Sequence, residues 1–420
     1  MMFEPILHDV FSASMVSVAI LALFTTGEVL HRVWKIRVEF TRKLTHVGAG
    51  LIVMTFPWVI GSPWTVAILS VGFGGLLVVG KKTGLLSSVH GVERRTSGAY
   101  YYPFAVLGTF WLSDGNPVLY CIPIAVMALA DTAAALVGQS LGTNHYDVFD
   151  NRRSVEGSLG FFGLAFAVCM IGLALDGHPG WPAMLIVALV ASLMATATEA
   201  ISVRGADNLF IPYTCFLVLD RTTRLGLRDL SGWIEGMFLG MLILVGSYRA
   251  AALTPAGGVT VFLVVTLSWA IGGWMWLVPL LAFYLLYIAT SPKDAQIRTD
   301  LDDVFPTTVG SMIVVLAFGH FGDPSLFVPY LATLTASGAI ALMRMAEVRG
   351  WPQIPLALSG AMTPVLPLLA YDYEIPVVAL CLATVAGCAA FLGLAKTTFA
   401  GRRMICALFA GTIAWVVAPI

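Results

Sequence analysis

PVLYCIPIAVMALADTAAALVG, Pro117 to Gly138, runs straight into QSLGTNHYDVFDNRRSVEGS, Gln139 to Ser158. The first part is long enough to cross a bilayer, which takes roughly 17–25 apolar residues, yet it carries a carboxylate, Asp131. An ionised group at that depth is expensive, so its retention points to function. The second part is polar and glycine-marked. With Gly138 before it, its Gly142, Arg152, Arg153, Ser154, Glu156, Gly157 and Ser158 offer backbone N–H groups, hydroxyls and guanidinium groups, the donors that hold a phosphate chain. Together the two parts predict a membrane-embedded site facing a phosphorylated, water-soluble substrate.

Outward from that stretch the apolar character continues. Of 420 residues, 58% are hydrophobic and 11% charged, with mean hydropathy +0.88, whereas a soluble domain carries about 25% charged residues. A soluble fold is excluded. A β-barrel would alternate polar and apolar residues in segments of about ten, which runs such as Val66–Val79 do not. The expected fold is all-α: a polytopic integral membrane helical bundle of roughly 13–15 transmembrane segments, judged by span length. Without a contiguous basic face, nucleic acid is not an expected partner. The six cysteines sit in apolar segments with no C-x-x-C pair, as buried hydrophobes do, and suggest neither a disulfide frame nor a zinc site. The first Lys or Arg is Arg32. Residues 10–30 therefore read as a retained span rather than a cleaved signal.

Further spans are expected near 44–60, 62–80, 99–113, 117–138, 159–176, 181–203 and 232–250, with about six more between 257 and 420. Three basic loops orient them: 31–43 with Arg32, Lys35, Arg37, Arg42 and Lys43; 81–98 with Lys81, Lys82, Arg94 and Arg95; 139–158 with Arg152 and Arg153. Two spans separate each from the next, so all fall on one side, the cytoplasmic one by the positive-inside rule. Leu209–Leu219 is too short to cross comfortably. It follows Gly205 and Asp207-Asn208, which suit a helix start, and predicts a short re-entrant helix near 207–220; a tilted short span is the alternative. Ala251, Ala252, Pro255, Gly257 and Gly258 mark a joint between 1–250, which holds nearly all the intramembrane polar residues, and 251–420, a multi-span region with no assigned role.

Arg42, Lys43 and His46 stand at i,i+3 and i,i+4 spacing, so two cations and an imidazole share adjoining helix faces. They could attract phosphate and move a proton; the plainer reading is that the cations only set topology. Asp131 shares a small-residue stripe with Ala134, Ala135 and Gly138, and Glu199 a second with Ala188, Ala191, Ser192 and Ala195. Small stripes let helices approach closely. Two acids about 10 and 6 Å below the surface, at about 1.5 Å per residue, could hold Mg²⁺, which typically takes one or two carboxylates plus substrate phosphates. The plainer reading pairs each acid with a basic residue. Arg95-Thr96-Ser97-Gly98 offers a further phosphate contact.

Four features in order resemble the CTP-dependent lipid-alcohol kinases (phytol, farnesol and dolichol kinase), a family related to phosphatidate cytidylyltransferase. They are Arg42-Lys43-x-x-His46, the D-x-x-A-A-x-x-G-x-x-x-G run from Asp131 to Gly142, Ser154-x-Glu156-Gly157-Ser158, and Glu199-Ala200 followed by Gly205-x-Asp207-Asn208. The resemblance implies an integral membrane kinase domain within 1–250. It would transfer the γ-phosphate of CTP to an isoprenoid alcohol, with Mg²⁺ as cofactor and the bilayer supplying the acceptor. Lys43, His46, Asp131 and Glu199 would be catalytic, and Asp131, Glu156 and Glu199 metal-holding. Arg95, Gly138, Gly142, Arg152, Arg153, Ser154, Glu156, Gly157, Ser158, Asp207 and Asn208 would bind nucleotide and phosphate. Where the family usually has lysine before the Ser/Thr-x-Glu-Gly-Ser loop, this chain has Arg152-Arg153, which keeps charge but changes hydrogen-bond geometry. Two rivals stand. A CDP-lipid synthase would end in a Lys-Asp…His-Gly-Gly…Asp signature, of which Ser291-Pro292-Lys293-Asp294 is only an echo. A secondary transporter would suit the span count and a broken helix near 205–209.

Overall fold

Helix starts are written into the sequence. Ser62, Asn116, Ser154 and Thr254 each turn a side-chain oxygen onto the first N–H groups of the helix that follows, and Pro63, Pro117 and Pro255 sit just inside three of those helices, where a missing N–H costs nothing. The computed structural model describes residues 4–86, 88, 98–148, 151–177, 180–249, 253–290 and 301–371. They form α1 (Glu4–Arg32), α2 (Val38–Val53), α3 (Pro63–Thr83), α4 (Gly98–Ser113), α5 (Pro117–Leu141), the hairpin β1 (His145–Val148) and β2 (Asn151–Ser154), α6 (Val155–Leu175), α7 (Trp181–Ile201), α8 (Asp207–Thr222), α9 (Leu227–Arg249), α10 (Pro255–Gly272), α11 (Trp274–Thr290), α12 (Leu301–Phe321), α13 (Phe327–Arg349) and α14 (Gln353–Met362).

Among the described residues, eight helices are long and apolar enough to cross a membrane, with two shorter apolar ones beside them. The chain is thus an all-α, multi-pass membrane protein. Spans expected beyond residue 371 lie outside the described residues. The expected span at 44–60 is cut: α2 ends at Val53 and a separate turn, Phe56–Val59, follows, because Pro57 cannot continue the ladder. The same helix begins at Val38, six residues early, so Arg42 and Lys43 lie inside it. α5 is α-helical to Ala125, takes a π turn over Val126–Ala130, and is α-helical again from Asp131. α8 has 16 residues against the eleven apolar ones read from sequence, a rise of about 24 Å.

By contact, the chain forms two compact units, Met1–Leu230 and Ser231–Ile420, so most of α9 belongs with the later helices. In the first, α8 packs among α4, α5 and α7, and Tyr120, Met127, Phe161, Met194, Ile211 and Leu219 are fully buried. The basic stretches meet at one end: Arg32 donates to the Gly84 carbonyl at 2.6 Å, while Arg42, Lys81 and Arg152 line one cavity. In the second unit, Trp276 lies between Phe318, Phe327 and Tyr330 at 4.5, 5.3 and 4.7 Å. There α13 and α14 touch backbone to backbone at Gly338 and Gly360.

Candidate active site

The early start of α2 decides where Lys43 and His46 point. Both face α5, and Lys43 Nζ donates to Asp131 Oδ2 at 2.7 Å. His46 Nε2 lies 3.2 Å from the Met127 carbonyl and 3.8 Å from Asp131 Oδ2. A carbonyl oxygen only accepts, so Nε2 is the protonated ring nitrogen in this arrangement. The π turn puts that carbonyl there. Such turns are rare and frequent at functional sites, and this one directly precedes the carboxylate. Tyr102 packs edge-on against the imidazole at 5.3 Å, fixing its plane.

Arg153 is the second centre. The hairpin pairs Tyr146 with Arg153 and Asp147 with Arg152, and strand alternation leaves Arg152 exposed on the cavity wall and Arg153 more deeply set. There Arg153 forms an ion pair with Glu199, donates to the Ser202 carbonyl at 2.7 Å and approaches Asp207 Oδ2 at 3.8 Å. Glu199, 4% exposed, also accepts from Ser158 Oγ at 3.4 Å, and Ser158 meets Tyr146 OH at 2.9 Å. The connector after α7 carries Arg204 and Gly205 at φ +53° and +86°. Two consecutive left-handed residues are strained when the first is not glycine, and that turn brings the Ser202 carbonyl and Asp207 to the same guanidinium.

The glycines are spacers. A Cβ on Gly157 would lie 3.0 Å from the Ala134 carbonyl and from Ser154 Oγ, and one on Gly138 3.0 Å from that hydroxyl. Gly142 packs on Gly138 and Ser154. Ser154 caps α6 by accepting from Gly157 N at 3.1 Å. These four residues lock α5 against α6, and only Gly138, Ser154 and Gly157 line the cavity. Glu156 departs from the expected role. Its carboxylate accepts from Thr143 Oγ1 at 2.6 Å and from Asn144 N and Nδ2 at 3.1 and 2.8 Å, outside the cavity, so it clamps the turn before the hairpin instead of joining Asp131 and Glu199 around a metal. Arg95 lies outside the described residues.

One cavity of about 1230 Å³ collects Lys43, His46, Asp131, Gly138, Arg152, Arg153, Ser154, Gly157, Ser158, Glu199, Asp207 and Asn208. Among the described residues its wall carries six Lys or Arg (Arg42, Lys43, Lys81, Arg152, Arg153, Arg204) against four acids (Glu39, Asp131, Glu199, Asp207), an excess of two positive charges in a chain whose net charge is −1. A net positive cleft concentrates anionic ligands. The opposite wall is apolar, with Phe24, Val53, Phe56, Leu69, Phe73 and Val106. Sequence reasoning missed Tyr102, Gln139 and Arg204 as cavity residues. Arg204, a cation directly before a glycine between two helices, was the one with a signal.

Among the described residues no group of three or more His, Cys, Asp or Glu forms a ready metal site. The donor set nevertheless suits Mg²⁺, a hard cation that keeps few protein carboxylates and takes the rest from phosphates and water. Asp131 and Asp207 both line the cavity, while Glu199 is engaged by Arg153. Arg153 Nε, buried, has no acceptor among the described residues and is a donor to spare for an incoming oxygen.

No protein-family model matches the chain, and no solved structure matches it. Phytol kinase from Synechocystis sp. is 34% identical over 203 residues, which covers 47% of this chain and 85% of that protein. With that identity over most of the relative's length, the chain belongs to the phytol kinase family.

Proposed function

We propose that the protein is an integral membrane kinase that transfers the γ-phosphate of CTP to an isoprenoid alcohol, releasing the lipid monophosphate. The observation that carries this reading is a single cavity with a positively charged polar end, holding Asp131 between Lys43 and His46, and an apolar end. A triphosphate suits the first and a lipid tail the second. The basic loops face the cytoplasm, where nucleotides are.

Phosphoryl transfer asks a protein for positioning and charge neutralisation more than covalent chemistry. Arg153, held in place by Glu199 and the Ser202 carbonyl, and Arg152 grip phosphate oxygens. Lys43 offsets charge developing at the transferring group, as preorganised donors do. The alcohol's proton passes to the Asp131–His46 pair. Asp131 and Asp207 would hold Mg²⁺, which when bound neutralises phosphate charge and orients the chain of phosphates.

The test uses purified protein in detergent with phytol, farnesol and a long polyprenol, and CTP labelled either in the γ-phosphate or in the cytosine. γ-Label in the lipid product supports the kinase. Cytosine in the product would identify a CDP-lipid synthase, and no label with any alcohol overturns the proposal. ATP and GTP in place of CTP test the donor.

A further inference from the structure

The apolar end of the cavity has a measurable length and a closed floor. On α2 the lining descends from Lys43 through His46 and Ala49 to Val53, and on α3 from Lys81 through Leu77 and Phe73 to Leu69. At about 1.5 Å per residue these runs are about 15 and 18 Å deep. That is close to one leaflet, half of the roughly 30 Å hydrocarbon core. Phe56 stands at the bottom and is the last cavity residue along that path. Behind it Phe110 and Tyr120, both buried, contact its ring at 6.3 and 6.5 Å and each other at 5.4 Å. Tyr120 OH donates to the Val53 carbonyl at 3.0 Å, which ties this aromatic cluster to the end of α2. The floor is therefore held from behind, so a tail arriving from above meets a fixed ring.

We infer that Phe56, backed by Phe110 and Tyr120, sets the length of hydrocarbon tail the enzyme accepts. This rests on the reading of the site as a lipid-alcohol kinase. A tail with the reach of one leaflet fits above Phe56 with its hydroxyl at Lys43 and Asp131. A polyprenol of many more isoprene units must bend out of the cavity, losing the close packing of its remaining length. Apolar pockets discriminate by about 10–200-fold per methylene that fails to fit, so a fixed floor is enough to grade substrates by length.

The experiment compares kcat/KM for phytol and for a long polyprenol in the wild type, Phe56→Leu and Phe56→Ala, the leucine variant guarding against loss of folding. The phytol preference of the wild type is expected to shrink at least tenfold in Phe56→Ala and by less in Phe56→Leu. An unchanged ratio in both variants overturns the inference. A second measurement needs no turnover: a diterpenoid alcohol with a diazirine at its far end is photolysed on the wild-type protein without nucleotide. Labelling of the peptide holding Val53 and Phe56 is expected. Labelling confined to outward residues such as Leu51, Ile68 and Val71, all exposed, would refute the channel. Floor labelling by a protein that transfers no phosphate would sink the kinase reading and leave the channel standing.

Discussion

Replacing Lys43 by Met strips Asp131 of its direct partner and leaves His46 at 3.8 Å. The two side chains are 13% and 18% exposed, so the pair is well removed from water. At 4 Å and an effective dielectric of about 20, two unit charges interact by about 4 kcal/mol, and removing one member of a buried pair costs about 3–5 kcal/mol because the other charge is stranded. With roughly 2–4 °C per kcal/mol for units of this size, Lys43→Met should melt about 6–20 °C below the wild type. Lys43→Met combined with Asp131→Asn removes both charges, and neutral replacement of a buried pair is often close to neutral in stability. The double variant should therefore regain most of the lost melting temperature. Its transfer activity should stay about 10²–10³-fold down, the usual loss when a preorganised charge at the reacting group is removed. The assay pairs thermal unfolding in detergent with γ-label transfer to phytol. Activity that returns together with stability in the double variant would reduce the pair to a packing device and refute its catalytic role.

Glu156→Gln should retain most of the transfer activity, since its carboxylate serves Thr143 and Asn144; a loss as deep as that of Asp131→Asn would put Glu156 inside the site. Gly157→Val forces a branched side chain to within contact of the Ala134 carbonyl and Ser154 Oγ, where even a Cβ reaches 3.0 Å. Overpacking of that kind costs about 1–3 kcal/mol, read as a lower melting temperature, and an unshifted melt would show that α5 and α6 are free to separate. Because Asp131 and Glu199 sit directly beside Lys43 and Arg153, a ligand bringing only negative charge meets carboxylates next to its donors. Calorimetric titration should therefore find CTP binding tighter with Mg²⁺ than without it, and equal affinities would argue against Asp131 and Asp207 as its ligands.

Most of the bundle was legible from composition and punctuation. The spans near 10–30, 62–80, 117–138 and 181–203 emerge as α1, α3, α5 and α7, because long apolar runs bounded by Ser-Pro, Asn-Pro or Gly admit few other structures in a bilayer. Arg42, Lys81 and Arg152, one from each of the three basic loops, line one cavity. The hairpin at 145–154 was read as a loop. Its cue, alternation of Tyr146 and Val148 ahead of Asp150-Asn151, is four residues long, the shortest run in which a period of two reads as a strand. The π turn left no mark at all, because an extra residue in Val126–Ala130 changes neither polarity nor length.

The cations mark the deeper limit. Arg42, Lys43, Arg152 and Arg153 fit two descriptions from sequence, topology signals or ligand-binding groups, and charge counting alone weighs them alike. What separates them is the sterics of the backbone beneath each. Starting α2 at Val38 turns Lys43 toward α5, and the strand period turns Arg153 toward Glu199 while Arg152 stays exposed on the same cavity. Once a lysine and an arginine are inside, burial fixes their partners, for an unpaired charge there costs several kcal/mol and Asp131 and Glu199 are the nearest acids, with Asp207 also close to Arg153. Pairing for packing and pairing for chemistry are therefore not alternatives in this cavity. The same ion pairs that make the charges affordable keep them poised where a phosphate chain would meet them.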